Sequence, residues 1–349
     1  MQDQTIVANA IPRITDEFGS VTDIGWYGSG MFFFLFLSIS PLVTTANSVS
    51  SNQVFLLTTA SFQLFYGTAY SYFSIKYTFL LAVGVFELGS LVCALAPTST
   101  ALIIGRAVAG LGGSGILAGG LIIIAHSVPL RTRPMFLGAM GGMFGIASVC
   151  GPLLGGVFTD HLTWRWCFYI NLPFGAVTVL TIAVFFTPPN RPAVDDLPFL
   201  TKVKSIDWFG IILFIPSVVS LLLALQWGGS TYPWGSGRVI ALFVLAGVLG
   251  VAFGIVQFRR KDRAFVPPRI IMQRSVAAAA WFAFFNGAAF LVLIYYTPLW
   301  HQAIRQASAV DSGIRLLPMV VGVVLMVIIC GGLVTAFGYC ECFKSILSP

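Results

Sequence analysis

The sequence predicts an all-α protein that crosses a membrane several times. Of its 349 residues, 57% are hydrophobic and only 9% are charged, whereas a soluble domain carries roughly 25% charged residues. The mean hydropathy is +0.91. Apolar runs long enough to span lipid, about 20 residues each, recur along the chain between short polar segments. Together these observations predict about ten transmembrane helices.

Other classes of protein fit the sequence poorly. The formal net charge is +7, but the cations are spread in a way that indicates membrane topology rather than nucleic-acid binding. Cys340 and Cys342 form a lone C-x-C without a second ligand pair, which is weak evidence for a metal site. No catalytic triad, phosphate-binding loop or metal cluster is visible. We therefore expect neither an enzyme nor a bound metal or cofactor.

The first apolar segment, residues 5–14, is too short to span a membrane. Asp3-Gln-Thr-Ile-Val-Ala-Asn-Ala-Ile-Pro-Arg-Ile14 resembles the D-x-T-I-V-x-x-A-L-P-x-I pattern in helix 1 of the 14-helix drug:proton antiporters, a group of the major facilitator superfamily. In that group about half a helix precedes the aspartate, so this chain resembles one that starts within helix 1. The resemblance implies a proton or cavity role for Asp3; a solvated chain terminus is the alternative.

Helix 2 is interrupted in the sequence. Joining Gly30 directly to Phe55 gives W-Y-G-S-G-F-L-L-T-T-A-S-F-Q-L, which looks like an unbroken helix 2 of the same group. Residues 31–54 are therefore predicted to be an insertion, and we hypothesise that they are translated intron sequence. Either the insertion forms an outer loop and residues 55–73 span the membrane, or residues 24–43 span it in place of helix 1.

The connection between helices 2 and 3, Gly67-Thr-Ala-Tyr-Ser-Tyr-Phe-Ser-Ile-Lys76, lies where the family has G-x-L-x-D-R-x-G-R-K. Ser71 replaces the aspartate and Tyr72 the arginine, which removes the expected charge pair and puts its gating role in doubt. Helix 3, residues 77–96, contains Glu87. A carboxylate inside a membrane helix is a functional candidate by default; a structural pairing with Arg106 is the alternative.

Helix 4, residues 101–128, contains Leu102-Ile-Ile-Gly-Arg-Ala-Val-Ala-Gly-Leu-Gly-Gly113, which resembles the superfamily motif L-x-x-x-R-x-x-x-G-x-G-x. An arginine in a membrane helix costs at least about 2.5 kcal/mol. Arg106 is therefore expected to face a cavity or a carboxylate, unless it reaches the membrane surface from the helix end. No strand precedes the glycines, which argues against a dinucleotide site; Gly110 and Gly112 indicate close helix packing.

Helix 5, residues 135–159, contains Gly145-Ile-Ala-Ser-Val-Cys-Gly-Pro-Leu-Leu-Gly-Gly156. Glycine and proline weaken a helix in water, but in lipid neighbouring helices satisfy the freed backbone groups and small residues let backbones approach. This predicts a kinked, closely packed helix. Gly145, Gly151, Pro152, Gly155 and Gly156 match the G-x(5)-G-P-x-x-G-G signature of major facilitator antiporters.

Helix 6, residues 164–186, opens with Trp164-Arg165-Trp166-Cys-Phe-Tyr-Ile-Asn171-Leu-Pro173. This segment resembles the W-R-W-x-F-x-I-N-x-P segment of the 14-helix group. We interpret Trp164 and Trp166, with Arg165, as membrane-interface residues rather than substrate contacts. Asn171 is expected to form a hydrogen bond between helices.

The resemblance implies a domain order along the rest of the chain. Residues 1–187 would form a six-helix half, 188–206 a cytoplasmic loop, 207–258 two linker helices (208–226 and 238–258) and 259–274 a basic cytoplasmic loop. Residues 275–338 would hold two helices of a second half (276–299 and 314–337), and 339–349 a short polar tail. The family continues with four more helices, so the fold is expected to be incomplete.

The cations predict the orientation of the chain. If helix 1 enters from the cytoplasm, most Lys and Arg residues lie inside, as the positive-inside rule requires. The inner cations would be Lys76, Arg131, Arg133, Arg191, Lys202, Lys204, Arg259, Arg260, Lys261, Arg263, Arg269, Arg274 and Lys344, and the outer ones Arg13, Arg165, Arg238, Arg305 and Arg315. We expect a plasma-membrane protein with cytoplasmic charged loops and C-terminus.

The resemblance implies proton-coupled efflux of small organic compounds such as toxins or drugs, with two halves that rock about a central site. The expected partners are the lipid bilayer, the exported compound and protons, and not nucleic acid. The main alternative is a truncated membrane fragment that inserts without transporting, and by itself this chain is expected not to transport. A siderophore carrier of the same superfamily is a further alternative.

Overall fold

The structure is a computed structural model that describes residues 51–189, 191, 197–229, 232–260, 264–305 and 309–337. Helix 1 with Asp3, residues 31–50 of the proposed insertion and the tail 339–349 lie outside the described residues.

The described chain is helical throughout, without a β-strand in these ranges. Its helices are α1 (Ser51–Tyr72), α2 (Ile75–Ala94), α3 (Ser99–Ser127), α4 (Arg133–His161), α5 (Trp166–Tyr169), α6 (Asn171–Phe185), α7 (Phe199–Ser205), α8 (Trp208–Trp227), α9 (Gly237–Arg260), α10 (Pro268–Ile271), α11 (Arg274–Ala303) and α12 (Ala309–Phe337). The predicted all-α fold is confirmed.

The long helices begin and end within a few residues of the predicted ones. α1 starts at Ser51, so the last four residues of the proposed insertion are continuous with the helix that follows. Predicted helix 6 corresponds to α5 and α6, which are separated only by Ile170, a residue with helical backbone angles; together they form one apolar segment, Trp166–Phe185.

Six segments of the described chain are long and apolar enough to cross a membrane. They are Ile75–Ala94, Thr100–Ser127, Trp166–Phe185, Trp208–Leu225, Gly237–Arg260 and Pro318–Ala336. The helices α1, α4 and α11 have 22, 29 and 30 residues, and about 20 residues suffice for a span. Together, these three helices and the six apolar segments correspond in sequence position to predicted helices 2 to 10.

Contacts divide the chain into two compact units. One contains Ser127–Cys150, which comprises the connection after α3 and the first part of α4, with the chain from Val266 onward; the other contains the chain up to His126 with Gly151–Phe265. In the second unit, one apolar core surrounds Cys93, Leu102, Cys167 and Phe168. Another contains Tyr66, Tyr70, Ile75, Phe79 and Val83.

Candidate functional site

Arg106 lies fully buried on α3, with 0% of its surface exposed. Its guanidinium carbon is 5.0 Å from the ring centroid of Phe55 on α1 and 5.8 Å from that of Phe168 on α5. A cation on an aromatic face gains about 2 kcal/mol or more when both are desolvated. Arg106 therefore lies inside the described helices, beside the rings of Phe55 and Phe168, and is not exposed at their surface.

Glycines allow α3 to approach two neighbouring helices. A Cβ atom placed on Gly110 would lie 3.1 Å from Thr58 Cβ and from the Phe55 carbonyl oxygen of α1, and one on Gly112 would lie 2.6 Å from the Ala82 carbonyl oxygen of α2. Thr59 also donates a 3.3 Å hydrogen bond to the Gly110 carbonyl. The close packing predicted at Gly110 and Gly112 is present.

Glu87 lies on the side of α2 that faces α6. Its carboxylate occupies the space beside Gly175, where a Cβ atom would overlap Oε1. One turn along, Asn171 Nδ2 of α6 donates to Ser90 Oγ at 3.2 Å, which is the interhelical hydrogen bond that the sequence predicts. A larger residue at 175 would displace the carboxylate, so Gly175 is part of the Glu87 environment that the sequence analysis missed.

The opening of predicted helix 6 packs in two ways. Trp164 is only 4% exposed and its ring meets Phe168 edge-on at 6.1 Å, so it is a core residue and not the lipid-facing anchor expected from sequence. Trp166 is 47% exposed, as an interfacial residue would be. Arg165 lies over the Trp164 ring at 4.4 Å and donates to the Ala96 carbonyl at 2.9 Å, which ties this segment to the end of α2.

The first part of α4 packs on α12 through glycines, a contact that we call the glycine seam. Cβ atoms on Gly138, Gly141 and Gly142 would lie 2.9 to 3.3 Å from atoms of Val327 and Ile328, whereas one on Gly145 would overlap Val324 Cγ2. From the α12 side, a Cβ atom on Gly331 would lie 2.6 Å from the Pro134 carbonyl oxygen.

The seam extends the predicted motif toward the start of α4. Three glycines precede the signature, namely Gly138, Gly141 and Gly142. They lie seven, four and three residues before Gly145, and residues at these spacings share one face of a helix. Further along α4, Gly151 and Gly155 are buried, and their close packing against another helix stays a prediction. The surroundings of Pro152 and Gly156 lie outside the described part of the structure, and the kink at Pro152 stays a prediction.

Next to Gly145 is an apolar cavity of about 250 Å³. Its lining comprises Gly145, Ile146, Cys150, Val320, Val321, Val324 and Leu325. Such a lining offers no partner for an ion or a hydrogen-bonding group, so the cavity suits hydrocarbon only.

A buried carboxylate that sequence reasoning missed joins the two linker helices; we call it the Asp207 hub. Asp207 is 2% exposed. Its Oδ1 accepts hydrogen bonds from the Gly210 amide at 2.9 Å and Arg260 Nη1 at 2.7 Å. Its Oδ2 accepts from Gln257 Nε2 at 3.1 Å and the Phe265 amide at 3.2 Å.

The hub combines a helix cap with a tertiary ion pair. Asp207 precedes α8 and satisfies a free amide of its first turn, as N-cap residues do. The same carboxylate holds the end of α9 through Arg260 and the chain that follows through Phe265. The cap is visible in the sequence, but partners 50 residues or more away are not.

The connection between α1 and α2 is held by cations in place of the missing charge pair. Arg191 donates to the carbonyls of Tyr70 at 2.9 Å and Phe73 at 2.6 Å, at the end of α1. Lys76 in turn donates to the Ala183 carbonyl at 2.7 Å, in the last turn of α6. Cations at helix C-termini are stabilising because the carbonyl ends carry partial negative charge.

The described residues contain no group of three or more His, Cys, Asp or Glu side chains placed to hold a metal ion. Among the described residues, Arg106 and Asp207 are buried charged side chains on different helices of the bundle.

Comparison with known proteins places these features in a family. The sequence pattern of the Major Facilitator Superfamily matches residues 1–342. The MFS-type efflux pump MFS1 of Arthroderma benhamiae is 50% identical over 337 residues, 97% of this chain and 58% of that protein. The aspyridones efflux protein of Neocamarosporium betae is 50% identical over 338 residues, 97% of this chain and 56% of that protein.

A third relative, the efflux pump aflT of Aspergillus parasiticus, is 48% identical over 337 residues, 97% of this chain and 61% of that protein. The chain thus spans a little over half the length of these curated relatives. The family predicted from the sequence motifs is confirmed: this chain belongs to the Major Facilitator Superfamily.

Proposed function

We propose that this chain is a carrier that exports small organic compounds across a membrane. The observation that carries the proposal is its identity of about 50%, over 97% of its length, to proteins named efflux pumps, one of them named for aspyridones. The helix 5 signature from Gly145 to Gly156 supports export, because it matches the antiporter motif.

The proposed mechanism is alternating access, in which two halves rock about a site near the middle of the membrane. The glycine seam is compatible with this, since small residues allow two membrane helices to approach closely. Export would be coupled to protons. In this proposal Arg106 would contribute positive electrostatic potential at the transport site, and Asp3 and Glu87 would be the carboxylates that bind a proton.

Export is tested in a chimera. Residues 51–337 replace the matching segment of the Arthroderma benhamiae pump, and uptake of a fluorescent dye into inverted vesicles is measured under a proton gradient. We expect the chimera to take up dye, and we expect a protonophore to abolish that uptake. Glu87→Gln should reduce uptake at least tenfold; glutamine is the matched substitution because it keeps the size of the side chain.

Three outcomes separate the rival functions. No dye uptake by a chimera that inserts normally supports a membrane protein that does not transport. Uptake of iron-loaded siderophore, but not of dye, supports the siderophore carrier. The 349-residue chain is tested in parallel, and export by that chain alone excludes the non-transporting alternative.

We also propose that the loops around Arg131 and after Arg259 lie in the cytoplasm of a plasma-membrane protein. The support is the cation count, since inner loops of membrane proteins are enriched in Lys and Arg. Thr132→Cys in a cysteine-free background should be labelled by an impermeant maleimide only after permeabilisation. Labelling from outside intact cells would contradict this topology.

A further inference from the structure

We propose that two buried hydroxyl groups of α1, those of Thr58 and Ser61, bind a water molecule inside the helix bundle. The water would bridge the two hydroxyls in the contact between α1 and α3. The inference does not depend on what the protein transports.

Both hydroxyl groups are buried without a partner. Thr58 and Ser61 are each 0% exposed, and among the described residues neither hydroxyl oxygen has a hydrogen-bond partner. A buried hydroxyl in this condition destabilises the fold, because it has lost its hydrogen bonds to water and gained none in return. A bound water would restore those hydrogen bonds.

A second threonine–serine pair on α1 shows how a helix usually satisfies such groups. Thr68 and Ser71 have the same spacing of three residues, and their hydroxyls donate to the carbonyls four positions earlier, at 3.4 and 3.1 Å. This bond to the preceding turn is a common solution for serine and threonine within helices. In the described structure Thr58 and Ser61 do not form it, so their hydroxyls are available to a ligand.

The spacing of the two hydroxyls suits a single water molecule. Residues three positions apart on a helix share a face, with their Cβ atoms about 5 to 6 Å apart. A hydrogen bond between two hydroxyl oxygens is about 2.7 to 2.8 Å long. One water placed between the side chains can therefore reach both oxygens.

The contact with α3 offers a third hydrogen-bonding group. A Cβ atom on Gly110 would lie 3.1 Å from Thr58 Cβ, so Thr58, and with it Ser61 on the same face, lies against α3. Gly110 presents no side chain to α1, and its carbonyl accepts a 3.3 Å hydrogen bond from the Thr59 hydroxyl. A carbonyl has two lone pairs, and a buried water typically makes about three hydrogen bonds. Two hydroxyls and this carbonyl would supply them.

The other polar groups nearby favour water over other ligands. Ser114 of α3 is 0% exposed and donates to the Leu111 carbonyl at 2.6 Å. Arg106 lies 5.0 Å from the ring of Phe55, which is one turn before Thr58 on the same face of α1. A metal cation would be repelled by the guanidinium, and an organic molecule is too large for a contact in which both hydroxyl side chains are fully buried.

The experiment uses the full 349-residue chain in lipid nanodiscs equilibrated with isotope-labelled water. A short X-ray pulse converts bound water to hydroxyl radicals, which add labelled oxygen to the nearest side chains, and peptide mass spectrometry measures the rate at each ring. Phe55 is 4% exposed and lies one turn from Thr58, whereas Phe168 is 0% exposed and lies on the same guanidinium. We expect Phe55 to gain labelled oxygen and Phe168 to gain none.

Three variants identify the groups that bind the water. Thr58→Val with Ser61→Ala removes both hydroxyls at nearly constant size and should abolish the labelling of Phe55. The matched control, Thr68→Val with Ser71→Ala, makes the same chemical change on the same helix and should leave that labelling unchanged. Thr58→Ser with Ser61→Thr keeps both hydroxyls and should be labelled like the wild type.

Two results would overturn the proposal. The first is equal labelling of Phe55 and Phe168 in the wild-type chain, a comparison that depends on no variant; a site that is dry or holds an ion gives this result. The second is labelling of Phe55 that persists without the Thr58 and Ser61 hydroxyls, because other groups would then bind the water.

Discussion

The glycine seam and the Asp207 hub join helices by opposite means. In the seam, glycines of α4 pack against Val324, Val327 and Ile328 of α12. This contact depends on the complementary shape of the two helices. The hub joins α8, α9 and the following chain through one carboxylate and four donors. In lipid, apolar side chains gain little by leaving lipid for protein, so contact depends on how closely backbones pack.

Different kinds of substitution are therefore expected to destabilise the two regions. A seam is damaged by adding atoms, since its glycines lie against neighbouring backbone and side chains. A hub is damaged by removing atoms, because each lost acceptor leaves a buried donor without a partner. The comparison predicts a large loss for a deletion at the hub and a moderate loss for an addition at the seam.

The largest effect is expected for Asp207→Ala. It removes the partner of Arg260 and leaves the Gln257 side chain and the Phe265 amide without their acceptor. Breaking a buried pair costs about 3 to 5 kcal/mol; Arg260 is 38% exposed, so we expect a value near the lower end. Unfolding of the purified chain in mixed micelles measures it.

The control for the hub is Arg259→Gln, which removes an exposed neighbouring cation and should change stability by less than about 0.5 kcal/mol. An equal effect of Asp207→Ala and Arg259→Gln would show that the hub does not hold the linker helices.

A moderate effect is expected for Gly145→Leu in the seam. The new side chain would overlap Val324, and overpacking typically costs about 1 to 3 kcal/mol. Gly322→Leu on α12 is the matched control, because a Cβ atom there meets nothing within 4 Å. If both variants unfold at the same denaturant concentration, α4 and α12 do not pack at Gly145.

Two glycines of α2 differ in the same way, and each can be replaced by alanine. A Cβ atom on Gly89 would overlap the Ala109 backbone of α3 and lie 2.8 Å from the Gly105 carbonyl oxygen, whereas Gly84 has open space. Alanine gains about 1 kcal/mol of helix propensity at either site. We expect Gly84→Ala to stabilise the protein and Gly89→Ala to destabilise it by about 1 kcal/mol net; the opposite ranking would contradict this packing.

The smallest effect is expected for Lys76→Gln. Its ammonium group caps the end of α6 through the Ala183 carbonyl, but the bond is exposed, so we expect a loss of only about 0.3 to 1 kcal/mol that salt reduces further. Thermal unfolding at low and high salt measures it. A loss as large as that of Asp207→Ala would show that exposure does not separate the two kinds of charge contact.

The sequence was sufficient for the helices and for part of the site. Apolar runs located the long helices because a span needs both length and hydropathy, and the cost of a charge in lipid marked Arg106 as a residue that needs an enclosing environment. The signature glycines pointed to the packed face of α4, although the seam begins earlier, at Gly138.

Other features depend on partners that are distant in sequence. The cap at Asp207 is a local signal, but Gln257, Arg260 and Phe265 join it only in the folded chain. Trp164 looked interfacial because tryptophan is common at membrane surfaces; its burial follows from packing against Phe168 and the end of α2.

The seam between α4 and α12 is tested most directly by a disulfide. A Cβ atom on Gly138 would lie 3.7 Å from Ile328 Cα. The Cβ atoms at the two positions can therefore come near the separation of about 3.5 to 4.5 Å that a disulfide requires. In the full chain without its six native cysteines, Gly138→Cys with Ile328→Cys should cross-link on mild oxidation, as peptide mapping would show. Gly138→Cys with Gly332→Cys should not, because Gly332 faces open space. No cross-link in the first pair, with both thiols open to alkylation, would contradict the seam.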